Sequence, residues 1–279
     1  MKYRLGLIAK DIKNSVNPYV YATYGKDLGE EVEFEIRNIP EEQLEAELEK
    51  TRTDWHGYHI TMPYKIVAMK YMDELDESAV KCGSVNTVVV KEGKLVGYNT
   101  DGWGLVRCLK NNGVETEGKR IVMLGAGGVG SSIAYNLFIN KVAHVDVVNI
   151  YLKQAQDLCD RYEGFDAYPL DYDTLTKLCK NADIFINASV MGQIGYDEFS
   201  DFTFLDAIGK DGVVFDVNYS NPDSLLVPEA RKRGMRAWNG RGMTASQAIG
   251  ACRLWFGKEP SLEAYKGILS HFEEIDKKQ

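Results

Sequence analysis

The chain has 279 residues, with 33 basic and 41 acidic side chains and a formal net charge of −8 at pH 7. This length predicts two domains, each able to bury a core without a metal ion or a disulfide. The acidic balance, free of long runs of one sign, argues against a nucleic-acid surface.

The five cysteines are scattered and form no C-x-x-C pair, which favours reduced, partly buried thiols over a zinc site. The apolar segment near the start is broken at Lys10 and Asp11, too early for a signal peptide, and no stretch approaches the length of a membrane span. We therefore expect a cytoplasmic protein that holds no metal and binds neither nucleic acid nor membrane.

The first third of the chain alternates between strand and helix patterns, which predicts a parallel sheet. The predicted strands cover residues 5–9, 31–36 and 57–60, Pro18 can open a first helix, and Pro40 opens an acidic helix over 41–50. Residues 84–90 and 94–98 flank Glu92-Gly93 as a hairpin, and Asp101 begins a helix that can link two domains.

From Lys119 the alternation restarts and predicts a doubly wound domain. Its strands are expected at 121–124, 144–149, 184–186 and 213–215, with helices at 129–140 and 152–162, and two final helices follow at 244–256 and 261–273. The predicted fold class is α/β in two domains with a cleft between them. Residues 1–101 plus 240–279 form an α/β substrate domain with a mainly parallel sheet, and residues 102–239 form a Rossmann-type dinucleotide domain.

A glycine-rich loop follows the first strand of the second domain: Gly125, Ala126, Gly127, Gly128, Val129 and Gly130. It fits G-x-G-x-x-G between a strand and a helix, the context in which this motif binds dinucleotides. The first glycine allows a tight turn, the second lets backbone amides approach a pyrophosphate, and the third lets the helix pack on the strand. The alternative is an ordinary glycine-rich turn.

The end of the next strand bears on the choice of dinucleotide. An acidic residue there would hold the ribose 2′-hydroxyl of NAD, whereas an arginine would accommodate the 2′-phosphate of NADP. The chain has Asn149 and Ile150 instead, and Lys153 follows on the opening turn of a helix. Because Ile150 cannot neutralise a phosphate, the sequence favours NAD over NADP. Asp146 lies inside the strand, where a structural role is expected.

Two residues upstream of the loop are candidates for proton transfer. Lys65 follows a strand end and Pro63, and Asp101 begins a helix. Hydride leaving a carbinol carbon gives that carbon carbonyl character, so the hydroxyl proton must pass to a positioned group. The alternatives are an exposed surface lysine and a helix-capping aspartate.

Along almost its whole length the chain resembles the shikimate and quinate dehydrogenase family. The matching segments, in order, are residues 15–18, 61–65, 83–87, 97–102, 125–130, 187–189, 216–219 and 239–247. This resemblance implies an NAD- or NADP-linked oxidation of one ring hydroxyl of a cyclic hydroxy acid, shikimate or quinate, to the 3-keto form. It also implies a place in the chorismate pathway of aromatic amino acid biosynthesis, and a homodimer is possible.

The resemblance also implies roles for individual residues. Lys65 would be the acid/base, and Asp101 would bind the same hydroxyl and orient Lys65. The substrate-binding positions would be Ser15, Asn17, Thr61, Asn86, Tyr219 and Gln247. The cofactor-binding positions, besides the glycine loop with Asn149 and Ile150, would be Asn187, Ala188, Ser189, Val217, Gly240 and Met243.

Three departures from the family pattern concern substrate and cofactor choice. The second serine or threonine of S-x-S-P is Asn17 here, an amide of different reach. Asn14 replaces a histidine, and Lys10 lies within a changed opening segment. The arginine after the second Rossmann strand is absent. His59 stands where the family often has asparagine, and we interpret it as a satisfied loop histidine rather than a catalytic one.

Two other functions are consistent with parts of the sequence. A catalytically silent sensor could use the same cleft to report a metabolite or cofactor, although such a sensor would not need both proton-transfer residues. A methylene-tetrahydrofolate or other Rossmann dehydrogenase would leave the segment from Ser15 to Pro18 unexplained.

Overall fold

The computed structural model describes residues 2–12, 15–219, 221 and 224–276. It divides into two compact units: residues up to Gly104 together with those from Ala245 onward, and Leu105–Thr244. The predicted boundaries lay at 101/102 and 239/240. Residues 102–104 stay with the first unit because helix α4, Asp101–Asn111, begins there. Gly240 stays with the second unit because it packs directly on the carbonyl of Val217.

The first unit is built on a six-stranded sheet of order β2-β1-β3-β5-β6-β4. Pairs β1/β2, β1/β3 and β4/β6 are parallel, whereas β3/β5 and β5/β6 are antiparallel. The strands are β1 Lys2–Ala9, β2 Glu31–Asn38, β3 Gly57–Ile60, β4 Glu74–Leu75, β5 Thr87–Lys91 and β6 Lys94–Tyr98. The α-helices are α1 Asn17–Leu28, α2 Leu44–Asp54, α3 Glu77–Cys82 and α11 Leu262–Asp276, joined by parts of α4 and of α10, Arg241–Phe256.

Burial on both faces explains the continuous apolar run of β1. Leu5, Leu7 and Ile8 are almost completely buried, as expected for a central strand covered by helices. On one face the strand meets a core formed by α1, α10 and α11, which includes Tyr21 and Trp255. The two chain ends therefore share one hydrophobic core.

The second unit is a six-stranded parallel sheet of order β12-β11-β10-β7-β8-β9. Its strands are β7 Arg120–Leu124, β8 His144–Asn149, β9 Phe165–Pro169, β10 Ile184–Asn187, β11 Val213–Asp216 and β12 Arg236–Asn239. Its helices are α5 Gly128–Ile139, α6 Leu152–Cys159, α7 Tyr172–Cys179, α8 Thr203–Ile208 and α9 Leu226–Lys232. The order of the strands reverses between β7 and β10, the point at which doubly wound folds bind ligands.

The α/β fold class is confirmed, and several element predictions need correction. The helix expected over 41–50 begins as a 3₁₀ turn, Glu41–Gln43, and α2 then continues to Asp54. The helix expected over 152–162 ends at Cys159. Strand β9 was not predicted because it lies at the sheet edge, half-buried, with weak alternation. None of the helices in the described ranges is long and apolar enough to cross a membrane.

All five cysteines are buried and free of disulfides, in keeping with the expected reduced thiols. Burial raises the pKa of Cys159 and of Cys179 to about 12. These thiols therefore act as small apolar side chains.

Gly57 on β3 tests the packing of the first unit. A Cβ atom at this position would lie 2.1 Å from Nε1 of Trp255, which donates to the carbonyl of Val88 at 2.9 Å. Gly57→Ala should lower the free energy of unfolding by about 1–3 kcal/mol, since the indole must move. Gly267→Ala is the control: Gly267 lies on α11 with open space around it, and alanine there should be neutral or stabilising. Urea unfolding of both variants measures the difference, and equal stabilities would refute the packing argument.

Candidate active site

Hydrogen bonds anchor the chain at Lys65 and at the residue before it. It lies in a turn between β3 and a 3₁₀ helix, after the cis peptide bond Met62–Pro63. Its neighbour Tyr64 is buried and donates its hydroxyl to the carbonyl of Ile39 at 2.6 Å. The carbonyl of Lys65 accepts from the amide of Val85 at 2.8 Å. These contacts fix the start of the lysine side chain.

Asp101 begins helix α4 at the end of a buried polar segment. Its amide donates to Oδ1 of Asn99 at 3.1 Å, and the amide group of Asn99 donates to the hydroxyl of Ser84 at 2.9 Å. Asp101 itself is 5% exposed. The backbone that carries this carboxylate is thus anchored to the interior of the first unit.

The two candidate proton-transfer groups are in direct contact. Lys65 Nζ lies 2.7 Å from Asp101 Oδ2, a charge-assisted hydrogen bond of normal length. The lysine side chain is 22% exposed and the aspartate side chain 7%. One member of the pair is therefore open to a bound molecule, while the other is held in the interior.

Asn86 holds the second oxygen of Asp101. Its Nδ2 donates to Asp101 Oδ1 at 2.7 Å and also lies 3.2 Å from Oγ1 of Thr100. Its Oδ1 accepts from the amide of Thr100 at 2.9 Å and from the hydroxyl of Thr87 at 2.8 Å. The side-chain amide of Asn86, a predicted substrate-binding position, is thus fully engaged within the protein.

The other predicted substrate residues are distributed over both units. Ser15 lies just before α1 and Asn17 is the first residue of that helix, and Ser15 Oγ accepts from the backbone amide of Asn17 at 3.2 Å. Thr61 follows β3 and Gln247 lies on α10, both half-buried in the first unit. Tyr219 belongs to the second unit and is 40% exposed. Asn14 lies outside the described residues.

In the loop after β7, Gly125 and Gly130 each have a distinct steric requirement for glycine. Gly125 has φ of +108°, and a Cβ there would lie 2.7 Å from the backbone of Ala188. A Cβ at Gly130 would lie 2.3 Å from the carbonyl of Gly125, so α5 can pack closely against the loop. Gly127 and Gly128, at the start of α5, face open space. This arrangement fits a pyrophosphate approaching the helix N-terminus, where backbone N–H groups favour an anion.

A buried polar network joins the ends of β10 and β11. Asn187 Nδ2 donates to Asp216 Oδ1 at 2.9 Å, and Asn187 Oδ1 accepts from the amide of Ser189 at 3.1 Å. The amide of Asn218 also donates to Asp216 Oδ1, at 3.0 Å. Burial raises the pKa of Asp216 to about 7 despite these hydrogen bonds. The network sets the path of the loop that meets Gly125.

Gly240 and Met243, two predicted cofactor-binding positions, follow β12 in the second unit. A Cβ atom at Gly240 would lie 1.9 Å from the carbonyl of Val217, so only glycine fits there without a shift. Met243 is 7% exposed. Val217 and Gly240 are therefore in close contact, and Met243 follows three residues later on α10.

The end of β8 has no free cation among residues 149–153. Asn149 accepts from the amide of Ala126 at 3.3 Å and donates to Gln154 Oε1 at 3.0 Å, so its amide braces the glycine loop. Ile150 is 71% exposed. Lys153 contacts Asp157 on its own helix at 2.7 Å.

Asp146, expected to be structural, is 6% exposed inside β8. Its Oδ1 lies 3.0 Å from Nε2 of His144 on the same face of the strand. The aspartate thus has a partner within the sheet, away from the strand end that the glycine loop contacts.

Two family models match the chain. The shikimate dehydrogenase substrate binding domain matches residues 7–88, and shikimate/quinate 5-dehydrogenase matches residues 108–195. A shikimate dehydrogenase (NADP⁺) of Alkaliphilus metalliredigens is 32% identical over 272 residues, covering 95% of each chain. The chain belongs to the shikimate dehydrogenase family. It is therefore an NAD(P)-dependent oxidoreductase, and these comparisons do not support a silent sensor.

Solved structures of this family share the fold. Shikimate 5-dehydrogenase from Listeria monocytogenes, in complex with shikimate and NAD, has a TM-score of 0.86 at 27% identity and covers 96% of each chain. Quinate dehydrogenase from Corynebacterium glutamicum, in complex with NAD, has a TM-score of 0.84 at 27% identity, covering 97% of this chain and 99% of that one.

Several members of the polar networks were not predicted from the sequence. Thr100 and Asp216 lie in segments that matched the family, yet neither was assigned a role. His59 lies within the strand predicted over 57–60, as β3 confirms, so the description of it as a loop histidine was wrong; it is 6% exposed and its hydrogen-bond partners were not predicted. Polar residues inside short apolar strands were the available signal, because burial of such groups requires partners.

The raised pKa of Asp216 predicts that the stability of the protein depends on pH. In the folded protein its pKa is about 7, above the usual 3.8, so the folded state keeps this proton over the window from about pH 4 to 7 and loses stability as pH rises through it. The Asp216→Asn variant keeps an acceptor for Asn187 and Asn218 and does not titrate at this position. Between pH 5 and 7 the variant should gain up to about 2–3 kcal/mol relative to the wild type. Urea unfolding at both pH values measures this, and a constant difference would contradict it.

Proposed function

We propose that this chain interconverts shikimate, or a close relative such as quinate, and its 3-keto form, with Lys65 as the acid/base. The single observation that carries the proposal is the 2.7 Å contact between Lys65 Nζ and Asp101 Oδ2. In this proposal the first unit binds the substrate and the second binds the dinucleotide. That the chain forms a homodimer stays a prediction.

The chemistry assigns a distinct task to each group. Oxidation of a ring carbinol removes a hydride from carbon and a proton from oxygen, and the amine of Lys65 accepts that proton; in the reverse direction its ammonium donates it. Asp101 accepts a hydrogen bond from the reacting hydroxyl and keeps Lys65 in reach. A dinucleotide bound at the glycine loop supplies the hydride acceptor or donor through its nicotinamide.

The substrate carboxylate needs hydrogen-bond donors because the whole chain carries a net charge of −8. Ser15 and Asn17 lie together and offer a hydroxyl and an amide for this purpose. Thr61 and Gln247 are the candidates for ring hydroxyls. Asn86 can bind a hydroxyl only by giving up one of its internal contacts, so we assign it first to Asp101.

The end of β8 supports NAD as the preferred cofactor. The exposed Ile150 offers no charge to a 2′-phosphate, and Lys153 is paired with Asp157. The Listeria and Corynebacterium structures are complexes with NAD, whereas the Alkaliphilus relative is a shikimate dehydrogenase (NADP⁺).

Lys65→Ala tests the acid/base assignment. Loss of the proton-transfer group should lower kcat for shikimate oxidation by about 10²–10⁴-fold, while the Kd for the dinucleotide stays within about twofold. Lys70→Ala is a matched control, since Lys70 is an exposed lysine that lies over the ring of Tyr71 and should leave kcat unchanged. Initial rates and dinucleotide titrations measure both. Unchanged turnover in Lys65→Ala would refute the assignment.

Ile150→Arg tests the cofactor assignment. The wild type should have a higher kcat/KM with NAD than with NADP. An arginine at this exposed position should raise kcat/KM for NADP by roughly 10–100-fold, the value of one charge-assisted contact. Ile150→Gln, of similar length without the charge, should not. A wild type that prefers NADP would overturn the inference.

A further inference from the structure

A buried hydrogen-bonded path in the first unit leads from α1 to the catalytic pair. We propose that Tyr21 and His59 are positioning residues of this enzyme, which hold Asn86 and through it Asp101 at the distance that Lys65 requires. The proposal rests on the function proposed above for the Lys65–Asp101 pair. We refer to these contacts as the Tyr21–His59 path.

The hydrogen bonds of His59 define its tautomer. Its Nδ1 lies 2.9 Å from the backbone carbonyl of Asn86, which can only accept, so Nδ1 carries the hydrogen. In the neutral ring Nε2 is then the acceptor, and it contacts the hydroxyl of Tyr21, which must donate. Each polar atom of the His59 ring thus has a partner of the right kind.

The path continues from His59 to Asp101 through Asn86 and its neighbour. His59 fixes the backbone carbonyl of Asn86, and its Nδ1 lies 3.2 Å from the hydroxyl of Thr87, the residue that pairs with His59 across β3 and β5. That hydroxyl donates to Asn86 Oδ1 at 2.8 Å. With its oxygen occupied in this way, the Asn86 side chain can turn only its NH₂ group towards Asp101, 2.7 Å away.

The surroundings keep the path dry and His59 neutral. Tyr21 is completely buried, and the rings of Trp255 and Phe34 pack on it at centroid distances of 5.1 and 5.3 Å. Burial lowers the pKa of His59 to about 4, and the nearby charges of Asp101 and Lys65 act on it in opposite directions. Burial also raises the pKa of Tyr21, with contributions from Cys252 and Tyr24.

Loss of the hydrogen bonds of the Tyr21–His59 path should leave the fold intact. It should allow the backbone and the side-chain amide of Asn86 to move. Because Asn86 Nδ2 is the donor to Asp101 Oδ1, a shift of the amide allows the carboxylate to rotate away from Lys65. Rates of proton transfer depend steeply on such placement. The expected signature is therefore a loss in kcat with shikimate and little change in the KM for the dinucleotide.

Tyr21→Phe against Tyr24→Phe is the matched comparison. Both tyrosines lie on α1, both are completely buried, and each donates one hydroxyl hydrogen bond, Tyr24 to the carbonyl of Ala245 at 3.0 Å. Tyr24 is outside the path. Both variants should lose similar stability, but Tyr21→Phe should lower kcat by about tenfold or more while Tyr24→Phe stays within about twofold. Equal kcat values in the two variants would overturn the proposal.

A second pair of variants at His59 separates positioning from packing. His59→Leu replaces the imidazole with an apolar side chain and removes both polar contacts, whereas His59→Asn retains a donor at the depth of Nδ1. The leucine variant should lower kcat by about 10–100-fold and move a limb of the pH profile of kcat/KM, and the asparagine variant should recover most of both. No recovery, or an unmoved profile, would overturn the proposal.

Crystal structures of the wild type and His59→Leu test the positioning without turnover. The proposal expects the wild type to keep the Asn86–Asp101 contact and the leucine variant to lengthen it beyond hydrogen-bond distance. Unchanged contacts would overturn it. These structures remain decisive if the wild type fails to oxidise shikimate or quinate, a result that would refute the proposed function alone.

Discussion

The ion pair between Lys65 and Asp101 is the interaction on which the rest of this site depends. A lysine amine in water carries its proton at neutral pH and moves freely, so it is poorly placed to accept a proton from one particular hydroxyl group. Here the chain on each side of Lys65 is tied to the fold, through the hydroxyl of Tyr64 and the amide of Val85. The acidic partner is more deeply buried than the lysine, so the geometry of the pair is set from inside the first unit.

Buried polar groups carry this geometry, and each of them needs a partner. The side-chain oxygen of Asn86 accepts hydrogen bonds from Thr87 and Thr100, and its side-chain nitrogen donates to Asp101. An unsatisfied donor or acceptor at such depth costs about 1–3 kcal/mol, so alternative side-chain orientations are disfavoured. The same principle operates in the second unit, where Asn187 and Asp216 shape the loop beside Gly125. Both predicted binding regions therefore lie against connected polar networks.

The short motifs were readable from the sequence because their chemistry is local. Gly125 and Gly130 are required by a positive φ angle and by a close approach within a few residues of chain, and the G-x-G-x-x-G spacing already records both. The absence of a charge at Ile150 is likewise a property of one position. By contrast, the contacts of His59 and the role of Asp216 were not predicted, since their partners come from segments far away in the chain, Tyr21 and Asn187 among them.

The sequence by itself determined the α/β class, the family, the glycine loop and the two residue types needed for proton transfer. Only the tertiary structure decided that Lys65 and Asp101 are in contact and that the Asn86 side chain donates its hydrogen bond to Asp101. It also decided that the unit boundaries lie at 104/105 and 244/245. The physical reason is the distance along the chain over which each interaction acts. Strand periodicity, turn sterics and motif spacing act over a few residues, whereas a hydrogen bond between side chains 36 residues apart exists only when the sheet has brought their backbones together.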